Sequence, residues 1–170
     1  MIIREATIDD TQPIALLARI TFDESFGHLF RDRQDLLTYF EKTFSVQKIK
    51  NSIKNENNVF WIAFVDDLPV AYAKLKLHSP SEFLKKKATA QLQKIYVLKD
   101  FLSKKIGLHL QMHMLDKVEE FDKKYLWLSV LHTNERAINF YIKNDFKQVG
   151  KHSFSIGKED FLFIAMAKEL

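Results

Sequence analysis

The sequence predicts a single α/β domain over residues 1–170, built as a mixed sheet with helices on both faces. Three observations lead there. Apolar residues recur every three or four positions through the first third of the chain. Two runs of period two then follow each other between residues 60 and 77, and helical and strand-like patterns alternate from residue 91 to the end.

The chain opens with a short strand, IIREA (residues 2–6). Asp9 and Asp10 are cap residues for a helix whose apolar positions are Ile14, Leu17, Ala18 and Phe22, and Gly27 is expected to end it. Two further helices are read from DLLTYFEKTF (35–44) and VQKIKNSIK (46–54). FWIAFVDDLPVAYAKLKL (60–77) then reads as an antiparallel hairpin turning through Asp66, Asp67, Leu68 and Pro69. A loop is read over 78–89, and the basic run KKKATA (85–90) beside HSPSEF is expected to be solvated. QLQKIYVL (91–98) is a strand, and a helix follows with Ile106, Leu110, Met114, Val118 and Phe121 on one face. YLWLSVL (125–131), NERAINFYIKN (134–144), FKQVG (146–150) and DFLFIAMAKEL (160–170) complete the order as strand, helix, strand, strand.

Composition narrows the function. Hydrophobic residues make up 46% and charged residues 28%, a balance suited to one sizeable core. No apolar run reaches the roughly 18 residues of a membrane span, and MIIREATIDD carries acids where a signal peptide needs an apolar stretch. A cytoplasmic protein is expected. Without cysteine there is no thiolate nucleophile and no Cys-based zinc site, so chemistry rests on oxygen, nitrogen and backbone groups; no metal is expected. The net charge of +4 is uneven, with an excess of acid in the first 57 residues and of base in the rest. The lysines form no aromatic-interleaved stripe, so a local phosphate site suits them better than nucleic acid.

The junction KDFLSKKIGLHL (99–110) is the informative stretch. A helix starting at Ser103 or Lys104 leaves its first N–H groups unpartnered and its dipole positive, which suits an anion. Lys104 and Lys105 stand in that first turn, where a cation needs compensation. Gly107 allows close approach of a backbone or a ligand. On this stretch alone, an N-cap serine, a packing glycine and solvated lysines explain the pattern equally well.

QLQKIYVLKDFLSKKIGLHL and WLSVLHTNERAINFYIKNDF resemble the two cofactor-binding segments of the GCN5-related N-acetyltransferase superfamily, and the element order matches that fold over the whole chain. TFDESFG, IYVLKDF and HSFSIGKEDFLFIAMAKEL are similar to bacterial Pai-type spermidine/spermine N-acetyltransferases. The resemblance implies a twisted, mostly antiparallel sheet and acetyl-CoA as cosubstrate. It maps the family's diphosphate loop, (Gln/Arg)-x-x-Gly-x-(Gly/Ala), onto Leu102 to Gly107, with Ser103, Lys104, Lys105, Ile106, Gly107 and Leu108 at the cofactor. Leu102 departs from Gln or Arg, and Lys105 departs from glycine, where a helical φ is expected of it.

The resemblance also sets the pantetheine arm beside Ile95, Tyr96 and Val97, next to a strand bulge that the sequence does not reveal. It makes Tyr141 the proton donor to the CoA thiolate, and gives Asn134 a hydrogen bond to the cofactor or its strand beyond its role as a cap. Asn144 and Asp145 replace the usual glycine before Phe146, as residues that tolerate left-handed turns. Gln91 and Gln93 stand where Pai-type enzymes carry acids, so they are possible acceptor-pocket residues or merely a solvent-facing edge. The base is left among Glu24, Asp23, His78, His132 and His152, or a water relay. The implied acceptor is a primary amine such as spermidine or spermine, with Asp23 and Glu24 to hold its charge. A protein N-terminus, another small amine, and a non-catalytic acyl-CoA-binding regulatory domain stand as alternatives. The exposed aromatics expected at Phe154, Phe161 and Phe163 allow either a monomer or a homodimer.

Overall fold

The computed structural model describes residues 1–86 and 88–170. Its strands are β1 (Ile2–Glu5), β2 (Asn58–Val65), β3 (Leu68–Lys76), β4 (Thr89–Val97), β5 (Tyr125–Leu131), β6 (Lys147–Ile156) and β7 (Glu159–Glu169). The helices are α1 (Thr11–Phe26), α2 (Arg33–Thr43), α3 (Val46–Lys54), α4 (Ile106–Glu120) and α5 (Glu135–Lys143). One sheet runs β1-β2-β3-β4-β5-β7-β6. Only β4 and β5 pair in parallel, and the other neighbours are antiparallel. This is the mixed, mostly antiparallel architecture expected. Lys87, within the basic run of 85–90, lies outside the described residues. None of the described helices is long and apolar enough to cross a membrane.

Two cores form on opposite sheet faces. Ile106, Leu110, Met114 and Val118 of α4 pack with Ala71, Leu75, Leu126, Leu128 and Phe146 on one face. On the other, Ile14, Ala18 and Phe22 of α1 join Leu36, Phe40, Phe44, Ile62 and Tyr72. Side-chain caps define the starts of α2 and α3, where Asp32 accepts from the Gln34 N–H and Ser45 from the Lys48 N–H. Arg4 grips Asp10 through two 2.7 Å bonds, tying β1 to the turn that opens α1.

Several boundaries differ from the sequence reading: α2 opens at Arg33, β2 at Asn58 and β4 at Thr89, which makes Thr89 and Ala90 of the run expected to be solvated buried strand residues paired with β5. Four further differences each have a local reason. The first hairpin turns on Asp66 and Asp67 alone, both at positive φ (48° and 62°), so Leu68 and Pro69 belong to β3. β6 extends to Ile156 because the next turn is made at Gly157 (φ 57°) and Lys158. Phe121 lies just past the end of α4 and is 44% exposed, leaving the apolar face that its spacing suggested. α4 itself begins at Ile106, not at Ser103 or Lys104, because Ser103 and Lys105 adopt left-handed backbone.

Lys74 and Lys94 oppose each other across β3 and β4 on the α1–α3 face. Their ammonium groups lie over Phe60 and Phe44, at 5.4 and 5.0 Å from the ring centres. Desolvation lowers both from 10.5 to about 8, and at Lys74 the nearby Lys94 charge adds to the effect. A lysine more acidic in the folded chain weakens the fold while charged, because the unfolded state then binds protons more tightly. That penalty is full below about 8 and vanishes above 10.5, so stability rises with pH between those values. Urea unfolding should therefore give a higher midpoint near pH 9.5, about two-thirds of the way through this window, than near pH 7.5, just below it. Lys94→Met should raise the lower midpoint and flatten the difference.

Candidate active site

The site begins where β4 and β5 part. Their parallel ladder pairs Thr89–Tyr125, Ala90–Leu126 and Gln91–Trp127, and no pairing follows. On its other edge β4 pairs with β3, but the register steps from Leu75–Leu92 to Lys74–Lys94, leaving Gln93 as an extra residue. That is the bulge the sequence concealed. Beyond it, Ile95 and Val97 pack toward the α4 core, while Tyr96 packs with the opposite core. The β5-facing edge of β4 is left open over Ile95, Tyr96 and Val97, and an amide-bearing chain can pair there as an added strand.

A cavity of about 890 Å³ fills this opening. Its wall comprises Ile95 to Val97, the loop residues Leu102, Ser103 and Lys105, the start of α4 at Ile106 to Leu108, and one side of α5 including Tyr141. The loop backbone enters the left-handed region twice, with φ of +68° at Ser103 and +60° at Lys105 after −62° at Leu102. Such alternation turns successive N–H groups into a concave anion nest, which continues into the N-terminus of α4. The helical φ expected at Lys105 is thus corrected. A left-handed backbone is one that glycine adopts without strain, and Lys105 adopts it at a cost of about 1–2 kcal/mol.

The two loop lysines differ in role. Lys105 lines the cavity, whereas Lys104 does not, its ammonium lying 4.7 Å from the centre of the Phe101 ring. Arg136, unremarked in the sequence, compensates by lining the same wall and donating to Ser103 Oγ at 3.2 Å. Its position two residues after the cap Asn134 aims the first turn of α5 at the loop, which is the signal that would have found it. Lys99 and Lys143 also border the cavity, and Glu24 is its only acid among the described residues. Glu24 is engaged, its carboxylate accepting the Lys99 backbone N–H at 3.0 Å. The balance strongly favours a polyanion.

Gly107 leaves room for one. A Cβ built there meets no described protein atom within 4 Å, so close packing with another backbone is not its purpose. Asn134 lines the cavity and caps α5, its Oδ1 accepting from the Ala137 N–H at 3.1 Å. Tyr141 is buried between Phe140 and Phe146, at ring-centre distances of 5.3 and 5.5 Å. Its hydroxyl has no hydrogen-bond partner among the described residues. Desolvation raises its pKa, which keeps the phenol protonated.

A second cavity of about 340 Å³ adjoins the first, and Phe26, Tyr96 and Leu131 line both. Gln91 and Gln93 face it from β4. Gln91 Oε1 accepts from Ser79 Oγ at 2.9 Å, while Gln93 Oε1 is buried without a partner among the described residues. Across the gap, Ser129 Oγ lies 2.7 Å from His152 Nε2. The imidazole stacks between Phe163 and Phe83, with ring centres 5.5 and 5.9 Å away. Gly150 makes this possible, since a Cβ there would stand 2.1 Å from the Phe83 ring.

The remaining sequence candidates fall elsewhere. Asp23 lines neither cavity, being clamped by Arg33 through bonds of 2.7 and 2.6 Å. His78 sits 3.1 Å from Lys123 Nζ, and His132 Nδ1 is 3.1 Å from the Leu162 carbonyl; neither reaches a cavity. Phe161 and Phe163 line the second cavity instead of an outer surface, whereas Phe154 is 50% exposed at its rim. Among the described residues no group of three or more His, Asp or Glu is disposed to hold a metal ion.

Comparison with known proteins agrees with this geometry. The model of the acetyltransferase (GNAT) family matches residues 22–146. An uncharacterized N-acetyltransferase in the pepI 3' region of Lactobacillus delbrueckii subsp. lactis is 28% identical over 156 residues, covering 90% of each chain. Among solved structures, PaiA N-acetyltransferase from Thermoplasma acidophilum, in complex with coenzyme A, superposes with a TM-score of 0.76 at 21% identity, covering 99% of this chain and 98% of its own. A ribosomal-protein-alanine N-acetyltransferase from Brucella melitensis gives 0.71 at 16% identity, with complete coverage of both chains (100% each). The chain belongs to the GNAT acetyltransferase family and is an acetyl-CoA-dependent N-acetyltransferase.

Gly107→Leu separates the site from the fold. The variant should fold at least as stably, since leucine exceeds glycine in helix propensity by up to about 1 kcal/mol. The rise in unfolding temperature on adding acetyl-CoA should shrink to that of more than a tenfold loss in affinity, on the order of 1.4 kcal/mol.

Proposed function

We propose that this enzyme transfers an acetyl group from acetyl-CoA to a primary amine by direct attack, with Tyr141 as proton donor to the departing thiolate and the Ser129–His152 pair as acceptor of the amine proton. The observation that carries this reading is that the two cavities adjoin. Phe26, Tyr96 and Leu131 line both, so a thioester in the larger and an amine in the smaller are brought together at this shared border. The polar groups at the two ends suit opposite proton tasks.

In the larger cavity the N–H groups of the nest and of the first turn of α4, with Lys105 and Arg136, bind and orient the diphosphate. The open edge at Ile95 to Val97 aligns the pantetheine arm. In the smaller, Ser129 and His152 form a relay in which the serine accepts the amine proton as its own passes to Nε2, leaving an imidazolium between two aromatic rings. The new C–N bond forms at the acetyl carbonyl carbon as the C–S bond breaks. Tyr141, kept protonated by its apolar surroundings, offers its hydroxyl proton to sulfur.

The likeness in sequence to Pai-type enzymes makes a polyamine the acceptor to consider first. The carboxylates that would hold it, Asp23 and Glu24, are both engaged by this chain's own groups. A purely regulatory acyl-CoA-binding domain would use the larger cavity but has no role for the Ser129–His152 pair.

Tyr141→Phe should lower kcat by about 10²-fold with the acetyl-CoA dissociation constant changed less than about twofold. Retention of wild-type turnover at every pH would remove the donor role. His152→Ala should likewise lower kcat by about 10²-fold at unchanged cosubstrate affinity, measured as CoA release against single-turnover binding. Unchanged kcat in that variant would return the base to a water relay.

A further inference from the structure

We infer that the acceptor is a small primary monoamine carrying one apolar, aromatic-sized body, and that the smaller cavity selects it against polycations. This rests on the acetyl-transfer reading above and names the substrate class of the same site. The cavity is walled by Phe22, Phe26, Tyr39, Tyr96, Phe161 and Phe163, and no Asp or Glu lines it among the described residues. Its volume of about 340 Å³ is at the low end for ligand sites, enough for one ring and a short arm.

Charge decides between the classes. A polyamine would bring at least one extra ammonium into this space, where removal from water carries a large penalty for each ion. Aromatic faces return only a small part of it. Lys94 lines the same cavity and adds like-charge repulsion to the deficit. A single amine faces no such difficulty because it reacts as the neutral form. Its N–H groups have a waiting partner in Gln93 Oε1, the buried acceptor that nothing else among the described residues satisfies. The apolar body of the substrate then replaces water against the ring faces and edges.

The test compares kcat/KM for 2-phenylethylamine and spermidine by CoA release, in the wild type and in Phe154→Glu, with thermal unfolding with and without acetyl-CoA as control. Phe154 is half-exposed at the cavity rim, so the substitution adds a carboxylate without opening the core. The wild type should prefer 2-phenylethylamine by at least about tenfold, and the variant should move that ratio toward spermidine by about tenfold. Spermidine turned over as well as or better than 2-phenylethylamine by the wild type overturns the inference. Turnover of neither amine, with acetyl-CoA still raising the unfolding temperature, overturns the acceptor class and leaves the cosubstrate site standing. Loss of that stabilisation as well would bring down the acetyl-transfer reading beneath it.

Discussion

The parting of β4 from β5 is the constraint on which the site depends. Parallel pairing stops after Gln91–Trp127, and the bulge at Gln93 turns the following residues so that β4 serves two faces at once. Ile95 and Val97 stay in the α4 core, and Tyr96 becomes the partition between the cavities. Without the bulge the alternation of a plain strand would continue, and a one-residue shift would exchange these faces. The backbone groups exposed by the gap are open to a ligand chain in place of a neighbouring strand. A sheet can leave such polar groups open only where water or a binding partner reaches them.

The basic end of the larger cavity is built in a different way. Three elements contribute: the left-handed turns of the loop, the first turn of α4, and Arg136 from α5. The strain at Ser103 and Lys105 is held because Ile106, the next residue, is anchored at 1% exposure in the core. Local conformational cost and core burial thus sit side by side in sequence. Lys99, Lys105, Arg136 and Lys143 line the larger cavity, whereas Lys94 alone of the Lys and Arg residues, and no Asp or Glu among the described residues, lines the smaller, and the proposed division between cosubstrate and acceptor rests on this difference.

Much of the fold was legible because its signals are local and periodic. VQKIKNSIK and YLWLSVL coincide with α3 and β5, since an amphipathic helix and a half-buried strand each leave a period in the chain. Gly107 and Tyr141 were found through a family pattern, and both line the cavity. What escaped depends on non-local packing or on backbone sign. The bulge at Gln93 is a property of two strands together, and positive φ at a lysine has no signature in residue type. Lys104 and Lys105 are neighbours of identical chemistry, yet only one lines the cavity, because Phe101 supplies a face for the other. The Ser129–His152 pair spans β5 and β6, 23 residues apart, so no spacing rule could join them.

The contact of Phe83 with Gly150 reaches further than its place at the sheet edge suggests. Phe83 belongs to the long connection between β3 and β4, yet it is one of the two rings that sandwich His152. Any side chain at Gly150 would push that ring away, since the backbone there already sits against it. The orientation of an imidazole on β6 is therefore coupled to where an irregular segment settles, and a substitution at a glycine without chemistry of its own would be felt as a loosened Ser129–His152 contact, the proposed proton relay.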